Sequence, residues 1–248
     1  MARRKSLVFL DVGQGDCFVA DTKSGAIIFD GGSSSEDQVG RYRILPYMKY
    51  LGYQKIQIAV ISHMDIDHYS GIKELLEMGK IKYLGLPEIP KDATMKKIIG
   101  IAKKRGTTIF YLSRGRQITT KDGSLKVLHP QKNSQMEKNA ASLVMQGKIL
   151  GYRVLLTGDV EKEGEEELLS EELERADILK AAHHGSKNST SNEFLQKVQP
   201  KQTVISCGKQ NRYGHPHLET IHRLQTYHTK IYRTDRSGAI IFFKRRDG

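Results

Sequence analysis

The chain has 248 residues, 38% of them hydrophobic, with 40 Lys and Arg against 28 Asp and Glu, a formal charge of +12. That size and apolar content can bury a sizeable core, and no run approaches the roughly 18 apolar residues of a membrane span. The only cysteines, Cys17 and Cys207, are too few for a disulfide framework, and their small or apolar neighbours predict buried thiols.

In chain order, the start Met-Ala-Arg-Arg-Lys runs through Leu7 to Val12 into Gly13-Gln14-Gly15-Asp16, too short and too polar for a signal peptide. Short strands are predicted at 7–12, 17–20 and 26–29, separated by Gly, Asp and Ser turns. A buried strand follows at 56–61, then a helix over 70–78 from the spacing of Ile72, Leu75 and Leu76. A strand at 81–84, a helix over 93–105 and a strand at 108–111 complete the first half. The second half reads as strands at 125–128, 142–146 and 152–156, a helix over 163–173, a strand at 177–182, a helix over 191–198 and a strand at 203–206. A helix over 218–227 and strands at 230–233 and 239–243 close it. Mixed strands and helices predict an α/β fold with two sheets covered by helices on their outer faces, as one domain over 1–248.

Charge is uneven. Arg3, Arg4 and Lys5 open the chain; Lys91, Lys96, Lys97, Lys103, Lys104 and Arg105 share one predicted helical region; Lys244, Arg245 and Arg246 close it. Such runs attract phosphate polymers. The acidic stretch from Glu161 to Asp177 is expected to form a solvated helix away from any polyanion track.

The densest chemistry is His63-Met64-Asp65-Ile66-Asp67-His68, directly after the apolar run 56–61. Imidazoles and carboxylates packed at a strand end predict a metal site on a rigid edge. Other apolar runs end alike: Phe29 in Asp30-Gly31-Gly32, Leu156 in Thr157-Gly158-Asp159, Ala182 in His183-His184-Gly185-Ser186. Functional loops converge at strand ends. Asp159 can bridge two ions, or cap the helix after it. One of His183 and His184 is expected to ligate metal, His183 being favoured, while the other touches substrate. Ser186, Ser189 and Thr190 suit phosphate contact or, for Thr190 above all, capping. In Asn211-Arg212-Tyr213-Gly214-His215-Pro216-His217, Arg212 can fork onto a phosphate, Tyr213 can stack on a base, and His217 or His215 can protonate a leaving oxygen. No helix pattern follows DVGQGD, so it is not a dinucleotide fingerprint; Asp16 is read as orienting the metal loop and Gln14 as lining the cleft.

The ordered set DVGQGD (11–16), FDGG (29–32), SHMDIDH (62–68), NAASLV (139–144), LLTGD (155–159), DILKAAHHGS (177–186) and NRYGHPH (211–217) resembles the metallo-β-lactamase superfamily, in its ComEC/Rec2 competence-protein type. The resemblance implies a four-layer αββα sandwich with metal at the sheet edges. It assigns metal ligation to His63, Asp65, Asp67, His68, Asp159 and His183, and a supporting role to Asp30. Asp65 stands where the superfamily pattern has a second His, and Asn139 where many members have His. Both changes put harder oxygen in place of nitrogen, which makes Mn²⁺ a candidate beside Zn²⁺, as one or two ions. Tyr69 is expected to narrow the entrance. Relatives acting in DNA uptake carry a membrane channel domain. The chain is thus read as a stand-alone, cytoplasmic relative, or as an excised domain from the extracytoplasmic face of the cell membrane, associated with such a channel. The implied activity is a metal-dependent phosphodiesterase, a DNA nuclease of little sequence specificity that uses metal-activated water. Asp67 would orient that water, and His217, with His184 second, would protonate the leaving group. Hydrolysis of small phosphodiesters or esters, and a non-catalytic DNA-binding module, are the alternatives.

Overall fold

The structure, a computed structural model, describes residues 4–136, 139–171 and 173–244; Arg3, Arg245 and Arg246 lie outside them. The first sheet contains β1 (Ser6–Phe9), β2 (Phe18–Thr22), β3 (Gly25–Phe29), β4 (Ile56–Val60), β5 (Ile81–Pro87), β6 (Thr108–Leu112) and β14 (Ile240–Phe243), in the order β14-β1-β2-β3-β4-β5-β6. The second contains β7 (Gln117–Thr120), β8 (Gly123–His129), β9 (Val144–Ile149), β10 (Tyr152–Leu156), β11 (Ile178–Lys180), β12 (Gln202–Ile205) and β13 (Lys230–Arg233), in the order β13-β12-β11-β10-β9-β8-β7.

Each sheet is half antiparallel and half parallel. Strands β3 to β6 run parallel, as do β10 to β13. A strand alternates its side chains between faces, and in β1 Leu7 and Phe9 enter the core between the sheets while Val8 faces the helices. Both faces are buried, so the strands read as continuous apolar runs. Helices α1 (Leu45–Tyr50), α2 (Ile66–Glu77) and α3 (Ala93–Lys104) cover the first sheet through Met48, Ile72, Leu75, Leu76 and Ile98. Helices α4 (Lys162–Leu169), α5 (Asn192–Val198) and α6 (Leu218–Thr226) cover the second through Leu168, Phe194, Leu195, Val198 and Leu224. The architecture is the expected αββα sandwich. Among the described residues, no helix is long and apolar enough to cross a membrane. Cys17 and Cys207 are buried free thiols.

The structure corrects several expectations. Helix α2 starts at Ile66, not 70, so Asp67 and His68 lie in its first turn. Four elements have no counterpart in the reading above: a π-helical turn at Gly40–Ile44, the helix α1 that it runs into, strand β7, and the short α7 (Thr234–Ser237). Asp159 caps nothing, since the N-cap position of α4 is Glu161. Thr190 does not cap α5 either: Ser191 Oγ accepts from Phe194 N at 3.3 Å, whereas Thr190 Oγ1 accepts from Ala182 N at 3.1 Å. The acidic helix is not wholly solvated. Glu165 is buried and accepts from the backbone N–H groups of Thr190 and Ser191, which pins α4 against the loop after the histidine pair.

Candidate metal centre

The polar strand ends meet at one edge of the sandwich. Asp30 follows β3 with a left-handed backbone, φ 58°, a conformation that strains a non-glycine residue and marks functional sites. Its Oδ1 accepts from Ser62 N at 2.7 Å, just past β4, and its Oδ2 lies 2.9 Å from His68 Nδ1. A proton on His68 Nδ1 leaves Nε2 aimed at Asp159 Oδ2, 3.1 Å away. His63 has Nδ1 3.0 Å from Ser62 Oγ and Nε2 3.7 Å from Asp65 Oδ2. Asp65 sits at the N-cap position of α2 without making a capping hydrogen bond.

The second sheet contributes the opposite half. Asp159 follows β10, and a short 3₁₀ turn after β11 carries His183 and His184, both left-handed (φ 47° and 52°). That turn separates the two rings. His184 is buried, with Nε2 3.4 Å from both Asp159 Oδ2 and Asp67 Oδ2, and Nδ1 2.9 Å from Ser206 O. His183 is more exposed, 3.8 Å from Asp159 Oδ2, with Nδ1 2.9 Å from Glu161 Oε1. The distances therefore put His184, not the favoured His183, at the centre of the carboxylates.

Two glycine loops back this arrangement. A side chain at Gly32 would strike the backbone at Ile66 O (2.5 Å) and His68 N (2.6 Å), and one at Gly15 would strike Asp67 O (2.7 Å). Only a bare backbone lets the DVGQGD and FDGG loops press onto the loop that carries the imidazoles.

Other expected residues lie around this centre. Asn139 shares a cavity of about 910 Å³ with Asp65, Ala140, Glu161, Lys162, Glu163 and Glu166, and its Oδ1 is buried without a hydrogen-bond partner. Asp16 lies beneath, 3.5 Å from His184 Nδ1. Gln14 is buried and accepts from Gly208 N at 3.1 Å, so it ties two loops together rather than lining the cleft. Ser186 is buried and accepts from Asn188 N within its own turn. In the 211–217 loop, Arg212 packs on Tyr213 (4.9 Å), Tyr213 stacks on His215 (5.7 Å, 19°), and His215 lies 5.5 Å from His183 and 6.1 Å from His184 between ring centroids. His217 is 5.0 Å from His215, and its Nδ1 accepts from Lys187 N. Tyr69 packs with Ile66, Lys73 and Lys97 in a groove between α2 and α3, not across the mouth of the centre.

One residue escaped the sequence reading. Lys180, the last residue of β11, is buried, pairs closely with Asp16, donates to Gly158 O at 3.1 Å and lies 3.6 Å from Asp159 Oδ1. The signal was available: a lysine on the inward side of an apolar strand, three residues before the histidine pair.

The electrostatics are strongly coupled. Burial opposes charge on His68 and His184, but Asp159, with Asp30 for His68 and Asp16 for His184, outweighs it and holds both imidazoles well above their ordinary pKa. Burial opposes the charge on Asp159 too, yet His184, His68 and Lys180 hold its carboxyl well below the usual range. The donor set fits a divalent ion. Nε2 of His63, His68 and His184 and Oδ1 of Asp159 are buried and make no hydrogen bond, and groups such as His63, His68, Asp159 and Asp67, His68, His184 bring their ligand atoms within 4.8 Å of one another. Imidazole and carboxylate donors suit Zn²⁺ or Mn²⁺.

A pH prediction follows. A raised folded-state pKa stabilises fully below the unfolded value and loses that contribution as pH rises through the folded value. Metal-free protein should therefore melt at a lower temperature at about pH 9 than at about pH 6.5, where an unfolded histidine titrates. Saturating metal, which displaces those protons, should flatten the difference and release protons on binding. Thermal melts with and without chelator, and calorimetry in two buffers, measure both effects.

A two-sheet sandwich with such a donor cluster at the strand ends defines a candidate metal-binding protein of the αββα class. A model of the metallo-beta-lactamase superfamily matches residues 10–209, and the chain belongs to that superfamily. Among known proteins it is 36% identical over 259 residues to ComE operon protein 3 of Bacillus subtilis, covering 96% of this chain and 33% of the relative. It is 31% identical over 245 residues to competence protein ComA of Neisseria gonorrhoeae, covering 96% of this chain and 32% of that protein. The chain thus spans about a third of the length of these relatives. Among solved structures, the metallo-beta-lactamase fold protein YhfI of Bacillus subtilis superposes with a TM-score of 0.62 at 14% identity, covering 97% of this chain and all of that one, a likeness of fold.

Proposed function

We propose that this chain is a metal-dependent phosphodiesterase acting on DNA. The observation that carries the reading is the set of buried, unbonded Nε2 atoms of His63, His68 and His184 around Asp159 at an open cleft. Its superfamily and its candidate metal clusters support a metal-dependent hydrolase. The finer choice of substrate draws on the charge of +12 and on relatives named for competence. In this reading His63, Asp65, Asp67, His68, Asp159 and His184 would hold one or two ions, with Asn139 beside them. Bound ions supply Lewis acidity and lower the pKa of water. Asp67 would orient the water so activated. His215, packed between Tyr213 and the histidine pair, touches substrate. His217 remains the candidate proton donor, a role that requires its Nδ1 to give up the hydrogen bond from Lys187 N when the ring is protonated, and His183, paired with Glu161, holds the cleft wall. Arg212 and Tyr213 meet the backbone and a base. Association with a membrane channel domain belongs to the same proposal.

The test is metal-stripped protein assayed on single- and double-stranded DNA, with Mn²⁺, Zn²⁺ or Mg²⁺ restored singly. Cleavage should return with Mn²⁺ or Zn²⁺, and a folded Asp65→Ala variant should lose at least about 100-fold. Turnover of small diesters alone would point to the small-substrate reading; binding without cleavage under every metal would point to a DNA-binding module. Affinity for DNA should also fall steeply with salt, by about one log unit per log unit of salt for each phosphate contact. A flat salt series in a binding titration counts against the polymer.

A further inference from the structure

Asp159 presents its two carboxylate oxygens to different partners. Oδ2 meets the imidazoles, 3.1 Å from His68 Nε2, 3.4 Å from His184 Nε2 and 3.8 Å from His183 Nε2. Oδ1 is buried, makes no hydrogen bond and lies 3.6 Å from Lys180 Nζ. Among the described residues, Lys180 is the one lysine or arginine paired with Asp159. It is well anchored itself. Its ammonium pairs closely with Asp16 and donates to Gly158 O at 3.1 Å, and its own carbonyl accepts from Thr157 Oγ1 at 2.8 Å. The last residue of β11 therefore grips the 157–159 turn by backbone and side chain together.

An aspartate carboxylate turns about a soft, roughly two-fold torsion, so its orientation has to be selected from outside. Groups that hold a ligand from behind fix its aim and sustain metal affinity. The ammonium also answers the charge of Asp16. Two of the four candidate ligand groups contain Asp16, one with Asp159 and His184, the other with Asp30 and His68. The other two, His63 with His68 and Asp159, and Asp67 with His68 and His184, contain no residue so paired except through Asp159 Oδ1.

We infer that Lys180 is a positioning residue of the metal centre: its ammonium holds Asp159 by Oδ1 and so presents Oδ2 to the imidazoles and to the ions they would share. This role rests on the metal centre of the phosphodiesterase reading, not on its substrate. Its sign can be measured. A fixed ammonium repels a nearby divalent ion, so by charge alone Lys180 weakens metal binding. By holding Asp159 it strengthens metal binding.

Lys180→Met alone leaves the Asp16 charge unpaired, so the comparison is made against Asp16→Asn, which keeps the ammonium on Asp159. Mn²⁺ is titrated by calorimetry into the metal-free full chain, Asp16→Asn, and Asp16→Asn/Lys180→Met, with thermal melts of the same samples. The double variant, folded at the titration temperature, should bind Mn²⁺ at least about tenfold more weakly than Asp16→Asn. Equal or tighter binding in the folded double variant would confine Lys180 to charge and stability and overturn the inference. Should the double variant not fold, a crystal structure of the unsubstituted chain with Mn²⁺ decides. An ion on Oδ2, with Lys180 Nζ within about 3 Å of Oδ1, supports the role; an ion on Oδ1, or Asp159 turned away from Lys180, overturns it. Absence of Mn²⁺ binding by the unsubstituted chain would overturn the metal centre and this role with it. Metal binding without DNA cleavage would sink the nuclease reading alone.

Discussion

Replacing Asp159 with alanine will abolish high-affinity metal binding and cleavage together. Among the described residues, Asp159 is the only carboxylate in contact range of His68, His183 and His184 at once, at 3.1, 3.8 and 3.4 Å from its Oδ2, and it shares a ligand group with His63. No neighbour can reach all of these positions. Loss of a partner one shell out from a metal typically weakens binding 10–100-fold; loss of a shared ligand should exceed about 100-fold for both proposed ions. Metal content by elemental analysis and cleavage rate should fall in parallel. Asp159→Asn, which keeps the shape and removes the charge, should fall nearly as far. A variant that keeps full metal content would place the ions elsewhere.

The second large effect falls on stability. Lys180→Met should destabilise the protein by roughly 3–5 kcal/mol, the usual consequence of removing one partner from a buried ion pair. Lys180 is buried beneath the site, where it joins Asp16 from the first sheet to Gly158 and Asp159 from the second. Without it, the Asp16 carboxylate lacks its closest cation. Burial opposes that charge, and Lys180 is the foremost group holding the carboxyl far below its ordinary value. For a chain of this length the loss corresponds to a drop in melting temperature of about 10 °C. Adding Asp16→Asn should recover part of it, because the unpaired charge is then gone. Urea unfolding of the two single variants and the double gives the coupling; strict additivity would mean that the pair does not interact.

Much of the fold was legible because both faces of the sheets are buried. Runs such as Ile56 to Val60 announce strands whatever surrounds them. Elements without such a run were missed. Strand β7 offers Ile118 as its one buried side chain, and the π-helical turn into α1 depends on Gly40 lying against the Gly71 backbone, a contact between distant segments. The site was legible as a set of clusters, since ligand residue types recur where apolar runs stop. Which of two adjacent imidazoles faces the carboxylates was not. His183 and His184 are neighbours in the chain, and two successive left-handed residues send one ring inward and leave the other at the wall. No periodicity encodes that turn. The acidic helix failed for a related reason: composition reads it as solvated, but the buried Glu165 anchors it beside the centre.

The account stands on distant imidazoles and Asp159 sharing bound cations. An anomalous-difference map from crystals soaked in Mn²⁺ or Zn²⁺ tests this most directly. The predicted result is density about 2.0–2.2 Å from Asp159 and from Nε2 of His63, His68 or His184. Ordered side chains with no ion among them at saturating metal would contradict it.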